Sequence, residues 1–255
     1  MALARSFGQT MLAGRPPPAA VNNNLELWLR SDSGVGLTAG GLVQSWADLS
    51  GHSPARDAVQ TTAGNQPGFT AVDANFNNQP SLNFNGATNN RFLAGSCPIT
   101  QIAGIAGQSF TAMAVSKMAV ASQSGGVFDI TNAAGHTNAG EVLLQNAANR
   151  DYRYGNAADT QYAFGLTTVI VHFIRSKANS INAETKDLFE KDVIKATSAA
   201  TVGALTLTQY RVGRLFDDVF PFNGDIAEIA VWSKALTDTQ IAALAGAAIL
   251  RYAIP

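Results

Sequence analysis

The sequence predicts an all-β protein: an antiparallel two-sheet β-sandwich with a short C-terminal helix and an extended N-terminal arm. Short segments alternate apolar and polar residues with a period of two, as Leu25, Leu27 and Leu29 do against Glu26, Trp28 and Arg30. Gly, Asn and Pro turns punctuate the chain at short intervals, the pattern of a sandwich rather than of βαβ units. Helical spacing of apolar residues is sustained only near the C-terminus, and no internal repeat or heptad is present.

The arm comprises residues 1–24 and the domain residues 25–255. Pro16, Pro17 and Pro18 favour an extended polyproline stretch without internal hydrogen bonds, and Asn22-Asn23-Asn24 closes the segment. One reading is a disordered tail. The other is an arm that orders against a partner protein. Leu3, Phe7, Met11 and Leu12 supply apolar anchors and Arg5 a charge, while the prolines lower the entropy lost on docking.

The domain opens on the half-buried strand at 25–30. Next comes a glycine-rich stretch whose Gly34-Val35-Gly36-Leu37-Thr38-Ala39 fits G-x-G-x-x-A. Gly40-Gly41-Leu42 stands where a nucleotide-binding helix would open, so the stretch reads as a flexible loop. Strands are expected at 43–46, before the turn Asp48-Leu49-Ser50-Gly51, and at 80–85, where Leu82 and Phe84 share a face. Further strands are expected at 110–118, 127–130, 141–145 and 152–154. Residues 167–174 are apolar on both faces, as in a central covered strand. Segments 186–189 and 193–197 suit a hairpin around Glu190-Lys191-Asp192. Its Asp187, Glu190 and Asp192 interleave with Lys186, Lys191 and Lys195, which reads as a solvated surface. A strand at 210–215 precedes the closing one.

The closing segment carries the clearest local signals. Asn223-Gly224 reads as a turn, because both residues tolerate positive φ. Residues 226–232 are β-branched or aromatic-rich and read as a strand, with Ile229 and Val231 on one face and Glu228 and Trp232 on the other. Thr237 and Gln240 form a capping box that starts a helix. Ile241, Leu244, Ala245, Ala248, Ile249 and Tyr252 make its single apolar stripe.

At 255 residues and 46% apolar composition the chain can bury a sizeable core as one domain. Charged residues are sparse at 14%, and 17 basic against 18 acidic residues leave a net charge of −1. No basic field attracts nucleic acid, and no apolar run is long enough to cross a bilayer. Cys97 is alone in the sequence and reads as a semi-buried packing thiol. Ser6, Gly8, Gln9 and Thr10 interrupt the apolar core that a secretory signal needs.

Four motifs stand in order along the domain. They are Trp46-Ala47-Asp48-Leu49-Ser50-Gly51, Gln79-Pro80-Ser81-Leu82-Asn83-Phe84-Asn85-Gly86, Tyr210-Arg211-Val212-Gly213-Arg214, and the closing segment from Phe222 to Ile241. Together they resemble the laminin-G-like and concanavalin A-like lectin-glucanase β-sandwich family. The resemblance covers residues 25–255 and implies the jelly-roll fold. It leaves activity open, because that family spans lectins, adhesion modules, glycosidases and virion proteins.

The glycosidase branch implies three acidic residues in the pattern E-x-D-x-x-E. Here Asn223, Asp225 and Glu228 occupy those places, and an amide cannot act as the nucleophile of a retaining enzyme. No catalytic residue is therefore expected. No cofactor is expected, with calcium left open as an alternative: the resemblance implies it for some members, and Asp48, Asp57, Asp217, Asp218 and Asp225 are candidate oxygen donors, but no compact calcium loop joins them. His52, His136 and His172 form no metal motif, His172 reading as a core residue. Trp28, Trp46 and Trp232 offer faces for a sugar ring, but core packing explains them better. The exposed aromatic and polar cluster expected for ligand or subunit contact is Arg150, Tyr152, Arg153, Tyr154 and Tyr162.

These readings order three function classes. The first is a non-enzymatic structural or adhesion subunit of a virion: a phage capsid decoration, fibre or adhesin protein. It is assembled in the host cytoplasm, anchored to other virion proteins by its arm, and homo-oligomeric, with a trimer as the expected symmetry. The second is a carbohydrate-binding, lectin-like module for cell-surface glycan. The third, a glycoside hydrolase, is disfavoured by Asn223.

Overall fold

The computed structural model describes residues 23–85, 91–97, 109–120, 125–131, 141–146, 149–153, 160–163, 168–180, 183–201, 208–215 and 221–255. They form two antiparallel sheets and one long helix. The smaller sheet has eight strands. Along its main path these are β15 (Val193–Thr201), β14 (Ala183–Glu190), β13 (Ile170–Ser180), β8 (Phe110–Met118), β17 (Asn223–Trp232), β6 (Gln79–Asn85) and β5 (Gly68–Asp73), while β1 (Leu25–Arg30) also pairs with β17. The larger sheet has nine. Its order is β12 (Thr160–Ala163), β11 (Asn149–Arg153), β10 (Glu141–Asn146), β9 (Gly125–Thr131), β16 (Gln209–Val212), β7 (Leu93–Ser96), β4 (Ala58–Val59), β3 (Val43–Trp46) and β2 (Val35–Leu37). Every pairing is antiparallel between strands distant in sequence or joined by hairpins, as a jelly roll requires.

Two apolar layers result. Leu27, Leu82, Phe84, Ile174, Ile226 and Ile229 of the smaller sheet meet Trp46, Leu93, Phe128, Ile130 and Tyr210 of the larger one in the sandwich interior. On the other side of the smaller sheet, Trp28, Met113, Phe173, Phe189 and Trp232 meet the helix α1 (Asp238–Tyr252) through Ile241, Leu244, Ala245, Ala248 and Tyr252. Both faces of the smaller sheet are thus covered. This is why β1 is buried on both sides, Trp28 and Arg30 included, instead of half-buried as the alternation alone suggests.

The capping box is formed as expected. Thr237 Oγ1 accepts from Gln240 N, and Gln240 Oε1 accepts from Thr237 N at 3.0 Å. Asp48 explains the tryptophan-aspartate motif: its carboxylate accepts from the backbone N–H groups of Trp28, Ser50 and Arg56, holding the 48–56 loop against β1.

Three expectations need correction. The 34–41 stretch is not wholly loop, because β2 forms against β3. Asn223-Gly224 is not a turn but the start of β17, paired with β6 and β8. Gly224 serves close approach instead: a Cβ there would lie 2.2 Å from the Lys117 carbonyl oxygen. The 186–196 hairpin forms around Lys191, whose φ is 55°, but its charges are not all solvated. Lys186 and Asp187 are buried, because their strand lies inside the sheet between β13 and β15.

Candidate functional site

The tryptophans do not form a sugar platform. Trp46 and Trp232 are wholly buried, and Trp28 directs its Nε1–H to Glu228 Oε1 at 2.7 Å. Tyr252 on α1 donates to the other oxygen of Glu228 at 3.0 Å. Glu228 therefore joins β1, β17 and the helix, and burial together with this carboxylate raises the Tyr252 hydroxyl well above its ordinary pKa. A bulge between Ile226 and Glu228 puts Asp225 on the same face of β17 as Glu228, where Asn83 donates to Asp225 at 2.7 Å. Burial raises the Asp225 carboxyl; the Asn83 amide opposes the rise and the nearby Asp73 adds to it. The two acids sit on the helix side of the smaller sheet, engaged by Trp28, Tyr252 and Asn83 within the fold, and Asn223 stands at the third position.

The other oxygen donors are also engaged locally. Asp57 accepts from Asp48 N, and among the described residues no three His, Cys, Asp or Glu side chains converge on a metal position. Asp217, Asp218 and His136 lie outside the described residues, as do Tyr154 and the arm residues Leu3, Arg5, Phe7, Met11, Leu12, Pro16, Pro17 and Pro18. Asn24 belongs to the sandwich edge, where its carbonyl accepts from Ser233 N at 2.9 Å. Cys97 is half-buried against the interior, and His172 is in the core.

With α1 over the smaller sheet, no described helix or third layer lies on the outer face of the larger one. Strand registers define that face. Ser45 pairs with Val59, Val59 with Ala94, Ala94 with Arg211, Arg211 with Asp129, Asp129 with Val142, and Val142 with Arg153. Their neighbours Ala58, Leu93, Tyr210 and Phe128 point into the core, so this row occupies the opposite side. The same alternation divides the tyrosine cluster. Position 153 falls on the outer row, whereas 150, 152 and 162 fall on the face that carries Phe128.

The centre of the outer face holds a feature absent from the sequence-based candidates. The half-buried ring of Phe92 is stacked by two guanidiniums, Arg211 at 4.8 Å and Arg214 at 3.8 Å from its centroid. Residues three apart on a regular strand point to opposite faces. Gly213 between them adopts φ 86° and breaks the alternation, and a Cβ there would lie 2.0 Å from the Phe84 ring. Arg211 is half-buried, Arg214 is buried, and Asp129 beside Arg211 is fully buried. The sequence displayed Arg211 and Arg214 only as part of a fold motif. Phe92 carried no signal, because its meaning comes from the pairing of β7 with β16.

No protein-family model matches the chain, and no curated protein matches it in sequence. Solved structures match in fold. The receptor-binding domain of botulinum neurotoxin D is similar with a TM-score of 0.61 at 11% identity, covering 90% of this chain and 54% of that one. The botulinum neurotoxin type G receptor-binding domain is similar with a TM-score of 0.60 at 7% identity, covering 88% of this chain and 51% of that one. Trypanosoma rangeli sialidase is similar with a TM-score of 0.57 at 14% identity, covering 91% of this chain and 33% of that one. The chain spans about half the length of the toxin domains and about a third of the sialidase. At these identities the likeness is one of fold, and the protein has the lectin-like jelly-roll β-sandwich fold.

Proposed function

We propose that this protein is a non-catalytic carbohydrate-binding module and that glycan docks on the outer face of the larger sheet, around Phe92 and Arg211. One observation carries the reading. The helix occupies the outer face of the smaller sheet, and the larger sheet presents on its own outer face an aromatic ring with stacked guanidiniums. The planar guanidinium stacked on the ring and the ring's own edge suit the apolar C–H surface of a sugar, and guanidinium N–H groups suit its oxygens. Two structural neighbours are receptor-binding domains and a third is a sialidase, which supports the class at the level of fold. The reading takes precedence over the virion-subunit expectation, which rests on the 1–24 arm and on a homo-oligomer and gains no support from the fold.

A glycan array probed with the full chain tests it. The expected result is capture of a defined subset of sugars, lost in Phe92→Ala while thermal unfolding shows that variant folded. An array with no sugar bound above background sinks the proposal, as does capture that Phe92→Ala leaves intact.

A further inference from the structure

We propose that the N-terminal arm, residues 1–22, folds back over the outer face of α1 and covers it. The helix has the composition of a buried element. From Ile241 to Leu250 it carries no polar side chain on any side. A helix at the surface of a domain turns polar residues outward, whereas one that is apolar all round belongs in the interior. Ile241, Leu244, Ala245 and Ala248 turn one side of α1 to the smaller sheet. The opposite side presents Ala243, Ala247 and Leu250 to solvent, and Leu250 is 81% exposed. Between Ile241 and Leu250 no charge opposes an apolar covering segment.

The arm joins the domain beside this face. Leu25, the first residue of β1, packs partly buried against the apolar cluster that holds the helix. Asn24 adopts φ 70°, and its carbonyl accepts from Ser233 N at 2.9 Å, just before Thr237 caps α1. At the far end Arg251 of the helix donates to Asp32, just past β1, at 3.0 Å. β1 and α1 therefore run side by side, and the arm enters at the end where the helix starts. Its length suffices. The fifteen residues of α1 span about 22 Å. Residues 12–22, which Pro16, Pro17 and Pro18 favour as an extended stretch, reach about 35 Å. Leu3, Phe7, Met11 and Leu12 can thus be set anywhere along the helix, and they supply the apolar surface that the composition of α1 calls for. Tethering favours the arm over a separate chain. A segment joined to the domain acts at high effective concentration, so a contact too weak to hold a free partner holds this one. The proposal is independent of the carbohydrate-binding reading, which concerns the other sheet.

Trypsin cleavage of the Arg5–Ser6 bond tests it, comparing the full chain with a synthetic peptide of residues 1–14. The expected result is cleavage at least about tenfold slower in the full chain, with Leu250→Glu restoring the rate of the peptide. Leu250 is exposed, so this substitution leaves the packed side of the helix untouched. Val193→Glu adds the same charge at an exposed apolar residue of β15, on the far edge of the sheet, and should leave the protection intact. Cleavage of the full chain at the peptide rate overturns the proposal and makes the arm a free tail or a segment awaiting a partner protein. Protection that survives Leu250→Glu also overturns it, because the arm then lies elsewhere. Light scattering of the same samples supplies the last outcome: a dimer that Leu250→Glu dissociates, with the Arg5–Ser6 bond cut at the peptide rate, assigns the helix face to a second copy of the chain and overturns the proposal.

Discussion

Arg175 and Asp187 face each other across β13 and β14 as a buried ion pair, with Arg175 Nε and Nη2 donating to Asp187 Oδ2 at 2.9 and 2.7 Å. The same guanidinium donates to the Leu236 carbonyl and to Asp238 at the start of α1, and it stacks on the Phe189 ring. One arginine thus fastens the helix to the sheet it covers. That contact bears indirectly on function, because the position of α1 determines which sandwich face is left for a ligand.

Arg175→Met removes one partner and leaves Asp187 buried, so it should cost about 3 kcal/mol of unfolding free energy. Lys177, 2.7 Å from the same oxygen, moderates the loss. Adding Asp187→Leu should recover much of it, because the uncompensated buried charge disappears. Urea unfolding of the single and double variants checks this; a single-variant cost below about 0.5 kcal/mol would show the pair to be incidental.

Acid should weaken the same junction. Burial alone would raise Asp187, but hydrogen bonds from Lys177, Arg175 and Thr197 outweigh it and hold the carboxyl below its ordinary value. A carboxyl depressed in the folded state contributes stability above its unfolded pKa, near 4, and loses it as pH falls through the lower folded value. The stability difference between the natural protein and Asp187→Asn should therefore be full at pH 7 and shrink below about pH 4. A difference constant across that range refutes the assignment.

Substitutions at Asp225 and at Glu228 should change stability in opposite directions. The Asp225 carboxyl is raised in the fold, so its ionised form costs stability above the folded pKa, and that cost fades as pH drops below the unfolded value. Asp225→Asn should raise Tm at pH 7 by roughly 2 °C and lose the advantage in acid. Glu228→Leu strands the Trp28 indole N–H and the Tyr252 hydroxyl and should destabilise by about 2–3 kcal/mol. Neither change should alter glycan capture by the folded protein on the array. A polysaccharide hydrolysed by the natural protein but not by these variants would reverse the non-catalytic reading.

Gly213→Ala should destabilise by about 3 kcal/mol, combining a left-handed backbone with overpacking against Phe84. It should also weaken glycan capture in the fraction that folds, since it disturbs the approach of Arg211 and Arg214 to Phe92. Thermal unfolding alongside array binding separates the two effects.

Several elements were legible in the chain because their signals are local. The Thr237-Gln240 box and the stripe from Ile241 to Tyr252 predict α1, alternation predicts β1 and β6, and β-branched and aromatic content predicts β17. Other elements left no local trace. β4 has two residues and β7 contains Gly95; each exists because a neighbouring strand supplies its hydrogen bonds. The Asp187 environment was misjudged for a related reason: a charged hairpin read alone looks solvated, and only the flanking β13 and the helix reveal that it is covered.

The sequence by itself determined the sandwich class, the closing strand and the capped helix. These follow from periodicity and capping, which act over a few residues. Only the tertiary structure decided that the helix covers one sheet, and that Phe92, Arg211 and Arg214 meet on the outer face of the other. That outcome depends on pairing register between strands far apart in the chain, where a shift of one residue would turn every side chain to the opposite face.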